Sequence, residues 1–90
     1  MAKIKKTLSP LRILVLHRGW VIVGRVKTSA TELEISNAAA VRRWGTTGGL
    51  GQLARNGVQK DTVLDESPVI RVHPLAVIKQ IDCTESAWTR

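Results

Sequence analysis

The sequence predicts a mainly β protein, a small antiparallel barrel or sandwich of about six strands with one short helix. Three observations predict it. Runs rich in Ile, Leu and Val alternate with polar residues at period two, these runs are short and punctuated by Gly, Pro, Asn and Ser, and only one segment carries helix signals. The 90 residues make one small domain, and a hydrophobic content of 43% separates it from disordered chains. At this size only about 60 to 65% of the unfolded chain's surface is buried, so homo-oligomerisation is an expected source of further stability.

The first run, from Leu11 to His17, is interrupted by Arg18-Gly19 and resumes from Trp20 to Thr28, which is a tight hairpin signal. In the second arm Trp20, Ile22, Gly24 and Val26 share one face, and Val21, Val23, Arg25 and Lys27 share the other. Gly24 marks a bend or a close backbone approach. After the turn at Thr28 to Thr31, the stretch from Glu32 to Ser36 alternates polar and apolar residues without exception, as a half-exposed strand does. Asn37 predicts a kink or bulge, and Ala38 to Trp44 reads as a fourth strand although its three alanines also suit a helix. The single expected helix is Leu50 to Arg55, stopped by Asn56-Gly57. A polar loop from Gln59 to Ser67 holds a brief extended piece at Thr62 to Leu64. Val69 to His73 and Leu75 to Asp82 are the last two strands, with Pro74 at the corner between them.

The resulting organisation is a basic flexible arm over residues 1–10, one β-rich domain over 11–83 with an insertion at 45–67, and a tail over 84–90. Trp88 in the tail is expected either to pack back onto the body or to make a subunit contact, with the subunit contact ahead of any ligand role. Trp20 is expected in the core or an interface rather than as a stacking platform.

Charge narrows the partners. The formal net charge is +7, from 14 Lys and Arg against 7 Asp and Glu, which concentrates anions around the surface. Cys83 is the only cysteine, so no disulfide within the chain is possible and a cytoplasmic setting is expected. The apolar stretch from Leu11 to Val26 is broken by Arg12, His17, Arg18, Gly19, Gly24 and Arg25, and falls short of the roughly 20 apolar residues of a spanning helix. Lys3, Lys5 and Lys6 ahead of it mimic a signal peptide, but no small-residue cleavage site follows. No membrane partner is expected.

Chemistry concentrates in Arg42, Arg43, Trp44, Gly45, Thr46, Thr47, Gly48 and Gly49, followed by Leu50-Gly51. Arginine offers a planar fork to phosphate oxygens, tryptophan a π-face to a base, and glycine a backbone that phosphate approaches closely. The stretch lacks the Gly-Lys-Ser/Thr of a phosphate-binding Walker loop and the spacing of a dinucleotide fingerprint. If a helix starts at Leu50, the N–H groups near Gly48 to Gly51 would face an anion, with Thr46 and Thr47 as added donors. The competing reading is a loop in which glycine serves the turn, Trp44 fills the core and the arginines face water. Arg42 and Arg43 would lie on opposite strand faces, leaving one for ligand while the other pairs with Asp61, Asp65 or Glu66.

Catalysis is poorly supplied. His17 and His73 flank turns without a Ser or Cys nucleophile setting, and two histidines with one distant cysteine make a weak metal case. Neither an enzyme nor a cofactor is expected.

Two resemblances extend this reading. Val23-Gly24-Arg25-Val26, Leu33 to Ala38, and Val69-Ile70-Arg71-Val72 with Leu75 to Ile81 together resemble the Sm-like small β-barrel, which implies that fold and a link to RNA. Val41 to Gly51, together with Lys60 to Asp65, resembles small proteins of tailed bacteriophages and prophages, which implies a bacterial host's cytoplasm during infection. The expectation is therefore a non-catalytic phage protein that binds a small anionic nucleotide, as an anti-defence sponge for a cyclic-nucleotide or ADP-ribose-type signal. The alternatives are a module for single-stranded RNA or DNA, and a virion or host-protein-binding structural protein.

Overall fold

The computed structural model describes residues 9–90, so most of the expected basic arm lies outside the described residues. Six strands are β1 (Leu11–Leu16), β2 (Val21–Thr28), β3 (Leu33–Arg43), β4 (Val63–Glu66), β5 (Ile70–Val72) and β6 (Val77–Asp82). One α-helix, α1 (Gly49–Asn56), joins β3 to β4, and 3-10 turns occur at His17–Gly19, Pro74–Ala76 and Glu85–Ala87. All the strand pairs are antiparallel, in the order β4-β3-β2-β1-β6, with β5 also paired to β3. The protein is thus mainly β, six-stranded and single-helix, of the small barrel or sandwich class.

The expected third and fourth strands are one long strand. Asn37 adopts φ 48°, a left-handed conformation that Asn tolerates, and the β2–β3 register slips there. The count stays at six because the expected insertion supplies β4, which pairs with the second half of β3 while β5 pairs with the first. A one-residue slip exchanges the faces of everything beyond it. Hence Leu33 and Ile35 before the bulge share a core with Ala38 just after it, whereas Ala39 and Val41 enter the opposite core.

Each face of the sheet therefore buries its own cluster. Leu14, Ile22, Val26, Leu33, Ile35 and Val72 form one, drawn from β1, β2, β3 and β5. The other sets Leu11, Ile13, Val21, Val23 and Val41 against Leu50, Leu53 and Ala54 of α1 and Trp88 of the tail. Gly57 ends α1 by donating its N–H to the Leu53 carbonyl at 2.9 Å.

Trp88 is packed back within its own chain, 8% exposed, and donates its indole N–H to the Ala54 carbonyl at 3.1 Å. The tail continues as a clasp. The Arg25 guanidinium donates to the Ser9 and Arg90 carbonyls and to Glu85, and Arg90 donates to the Asn37 carbonyl and pairs with Glu66. The N-terminal side is anchored too, since the Val26 N–H donates to the Pro10 carbonyl at 3.0 Å.

Gly24 lets β3 approach β2 closely at the bulge. A Cβ there would lie 2.5 Å from Cγ2 of Ile35 and 2.9 Å from the Ser36 carbonyl oxygen. Gly24→Ala is expected to cost about 1–3 kcal/mol through overpacking, read as a lower urea midpoint at unchanged slope. A second expectation concerns pH. The hydrogen bond from Arg25 holds the Glu85 carboxyl below its ordinary pKa, with the charge of Arg25 and the Leu11 N–H assisting. A depressed folded-state pKa adds stability that is present at neutral pH and lost as pH falls through that lower value. Glu85→Gln is therefore expected to melt below wild type at pH 7, with the two converging as pH drops below the glutamate range.

Candidate functional site

The β1–β2 turn creates the most exposed aromatic in the described residues. Arg18 and Gly19 both take left-handed backbone, φ 69° and 79°, and the Leu16 N–H closes the turn onto the Trp20 carbonyl at 2.8 Å. That leaves Trp20, the last residue before β2, with 64% of its surface exposed, outside the core that was one of its two expected places. Ile22 stands opposite Ala40 in the β2–β3 register, so Trp20, two residues earlier, falls level with Arg42. Arg18, Gly19, Trp20, Ala40, Arg42 and Asp65 line an open pocket of about 360 Å³. Ala40 provides the room, because its side chain is a single methyl on the middle strand.

Arg42 is fixed by Asp65. Its Nε donates to Oδ2 at 2.9 Å and its terminal nitrogen to Oδ1 at 3.0 Å, a two-point pairing across β3 and β4. The hydrogen bond, followed by the carboxylate's charge, raises the pKa of Arg42. Both groups stay open to solvent, with 69% and 49% of their side-chain surfaces exposed. Arg43 makes no ion pair among the described residues. Arg42 thus takes one of the acidic partners expected for this arginine pair, Asp65. The β3–β4 register slips between Val41 and Arg43, which makes Arg42 the extra residue of a bulge and leaves both arginines exposed.

Beyond the arginines the chain satisfies itself. Trp44 is 43% exposed, and its carbonyl accepts the Thr62 hydroxyl at 2.7 Å. Gly45 has φ +69° and lies so close to the next loop that a Cβ would sit 2.3 Å from the Asp61 carbonyl carbon. The Thr46 hydroxyl donates to the Gly49 carbonyl at 2.7 Å. Gln52 Oε1 accepts the Gly48 N–H at 2.6 Å and the Thr47 hydroxyl at 3.4 Å. The two hydroxyls and the Gly48 N–H expected to help cradle phosphate thus have internal partners, and Gln52 covers the start of α1. Of the eight candidate residues only Arg42 lines the pocket.

The pocket adds Arg18, Trp20 and Asp65 to the sequence candidates. The signal for Trp20 was its place directly after the turn Gly19, where a strand has not yet acquired neighbours on both sides.

The other reactive groups serve structure. His17 Nε2 is 3.1 Å from the Leu75 carbonyl, and His73 Nδ1 accepts the Leu75 N–H at 3.1 Å, so both hold the Pro74–Ala76 turn. Burial, reinforced by Glu85 and Asp82, pushes the Cys83 thiol up to about 12, which keeps it an unreactive thiol. Among the described residues no three His, Cys, Asp or Glu side chains converge on a metal-sized site, and no helix is long and apolar enough to cross a membrane.

Fold and site together define a small β-domain with an open pocket walled by an indole and guanidinium groups. In comparison with known proteins, the chain matches no family model and no curated protein. The two tryptophans should separate by experiment. Trp20→Ala is expected to change stability by less than about 0.5 kcal/mol, whereas Trp88→Ala lowers it by about 3–5 kcal/mol, both measured by chemical denaturation.

Proposed function

We propose that this protein binds an anionic nucleotide without transforming it, with the base on Trp20 and phosphate on Arg42, Arg18 and Arg43. One observation carries this reading: the exposed indole of Trp20 shares a single pocket with two guanidiniums. Tryptophan left in water forgoes a large burial, and stacking on a base recovers it while arginine meets phosphate. Arg18 adds support, because a left-handed backbone there favours Gly or Asn by roughly 1 kcal/mol, yet the position holds a cation on the pocket rim. The volume of about 360 Å³ lies near the low end for small-molecule sites and suits one nucleotide unit. A larger ligand would reach toward Arg43 and Trp44.

The likeness to phage proteins supplies the setting: sequestration, in a bacterial cytoplasm, of a cyclic-nucleotide or ADP-ribose-type defence signal. Self-association fits the exposed Leu75 and Ile78, 81% and 58% open beside and on the edge strand β6. A second reading, single-stranded RNA or DNA, draws on six cations without ion pairs among the described residues: Arg18, Lys27, Arg43, Arg55, Lys60 and Lys79.

Calorimetry against nucleoside monophosphates, cyclic dinucleotides, ADP-ribose and a short oligonucleotide ladder tests both. Small-nucleotide binding that weakens about tenfold or more in Trp20→Ala and Arg42→Ala supports the first reading. Affinity that grows with strand length and falls steeply with salt supports the second. Binding to neither class overturns both.

A further inference from the structure

We infer that Asp65 is a positioning residue: it touches no ligand, and it raises the pocket's affinity for phosphate by fixing the guanidinium of Arg42. This rests on the nucleotide reading above. A carboxylate is an unexpected group in a site for anions, because alone it would repel phosphate. Its place in the sheet accounts for it. Asp65 stands opposite Ala40 in the β3–β4 register, set back along the sheet from the level that Trp20 shares with Arg42. Arg42 reaches it diagonally and occupies both carboxylate oxygens, at 2.9 and 3.0 Å.

A guanidinium presents two edges that each carry a parallel pair of N–H donors. Asp65 takes the edge made by Nε and Nη2. The outer edge, made by Nη1 and the second hydrogen of Nη2, has no acceptor among the described residues. Trigonal geometry turns this outer edge by about 120° from the acid, so two phosphate oxygens can meet it without facing the carboxylate. Arg42 lines the same pocket as Trp20, and 69% of its side chain is exposed. It is also the extra residue of the β3 bulge, with no direct partner in the β3–β4 register, and Asp65 is its only hydrogen-bond partner among the described residues. Without the acid, this long side chain would sample many rotamers, and a ligand would bear the entropy of stopping them. Charge and position thus oppose each other at Asp65. By charge alone its removal tightens an anion, and by position its removal loosens one. The width of the guanidinium and the surrounding water screen the repulsion, so position prevails.

The test is calorimetry of the whole chain with 5′-AMP, ADP-ribose and cyclic di-AMP in about 0.3 M salt, which further screens the acid's repulsion. Wild type, Asp65→Ala, Arg42→Lys and the double variant are compared, with thermal melts to verify that each is folded. Lysine keeps the charge and lacks the fork, so it leaves Asp65 nothing to orient. The expected result is binding roughly three- to tenfold weaker in Asp65→Ala than in wild type, and no further weakening when Asp65→Ala is added to Arg42→Lys. Affinity that is unchanged or tighter in Asp65→Ala overturns the positioning role and leaves nucleotide binding standing. Equal weakening in both backgrounds overturns it too, because the effect then bypasses Arg42. Failure of wild type to bind any of the three, or any other nucleotide, overturns the nucleotide reading itself and the positioning role with it.

Discussion

The close approach and bulge between β2 and β3 at Gly24 and Asn37 is the constraint on which the other elements depend. At Gly24 the facing strand comes so near that Ile35 occupies the space a side chain would take. At Asn37 a left-handed residue inserts one extra position and moves the following residues to the other face. Together they turn one pair of long strands into two differently facing halves. The first half of β3 receives β5, the second receives β4, and each half buries its own cluster. A regular ladder would have put Ala39 and Val41 on the face of Leu33 and Ile35, leaving α1 and Trp88 nothing apolar to cover.

The second half of the molecule is closed by the tail. Arg25 and Arg90 are the two most buried cations in the ion pairs, with 14% and 11% of their side-chain surfaces exposed. A guanidinium that leaves water needs acceptors, and these find them in the Ser9, Asn37 and Arg90 carbonyls and in Glu85 and Glu66. That arrangement commits these two cations to holding β2, β3 and the tail together. Arg18, on the pocket lining, and Arg43, next to Arg42 in the chain, by contrast carry their charge into solvent. The net positive charge thus divides into a part that holds the fold and a part available to a ligand.

Local patterns were legible and long-range choices were not. The hairpin, the close approach at Gly24, the bulge at Asn37 and the helix stop at Asn56-Gly57 each follow from residues within a few positions of each other. Whether Asn37 ended a strand or only bent it depends on β2, about fifteen residues away, because a turn and a bulge interrupt the alternation alike. β4 was read as a brief extended piece since Asp65 and Glu66 gave no alternating signature; its pairing with β3 makes it a strand. Trp20 and Trp88 were weighed by hydrophobicity alone, and their fates differ by what stands opposite them. The glycine-rich stretch contains the residue types of a phosphate cradle, yet the same types serve a helix start that Gln52 caps. Sequence named Arg42 as a ligand residue and Asp65 as a possible partner of an arginine, without bringing either to Trp20.

The Arg42–Asp65 pair gives the pocket its physical character. In water such an exposed pair contributes little to stability, so its effect here is positional. Two parallel hydrogen bonds orient the guanidinium plane and the carboxylate together at the bulge, instead of leaving two long side chains to sample many rotamers. A ligand meeting them forfeits less conformational entropy than it would by ordering each group separately. The same pairing sets the local field. Glu32, Glu34, Asp65, Glu66, Asp82 and Glu85 all have arginine partners, so the unpaired surplus among the described residues is positive and includes Arg18 on the pocket lining. An anion is drawn by that surplus, while Asp65 is neutralised by Arg42. Surplus positive charge and a fixed guanidinium–carboxylate plane therefore reside in different side chains of one small pocket.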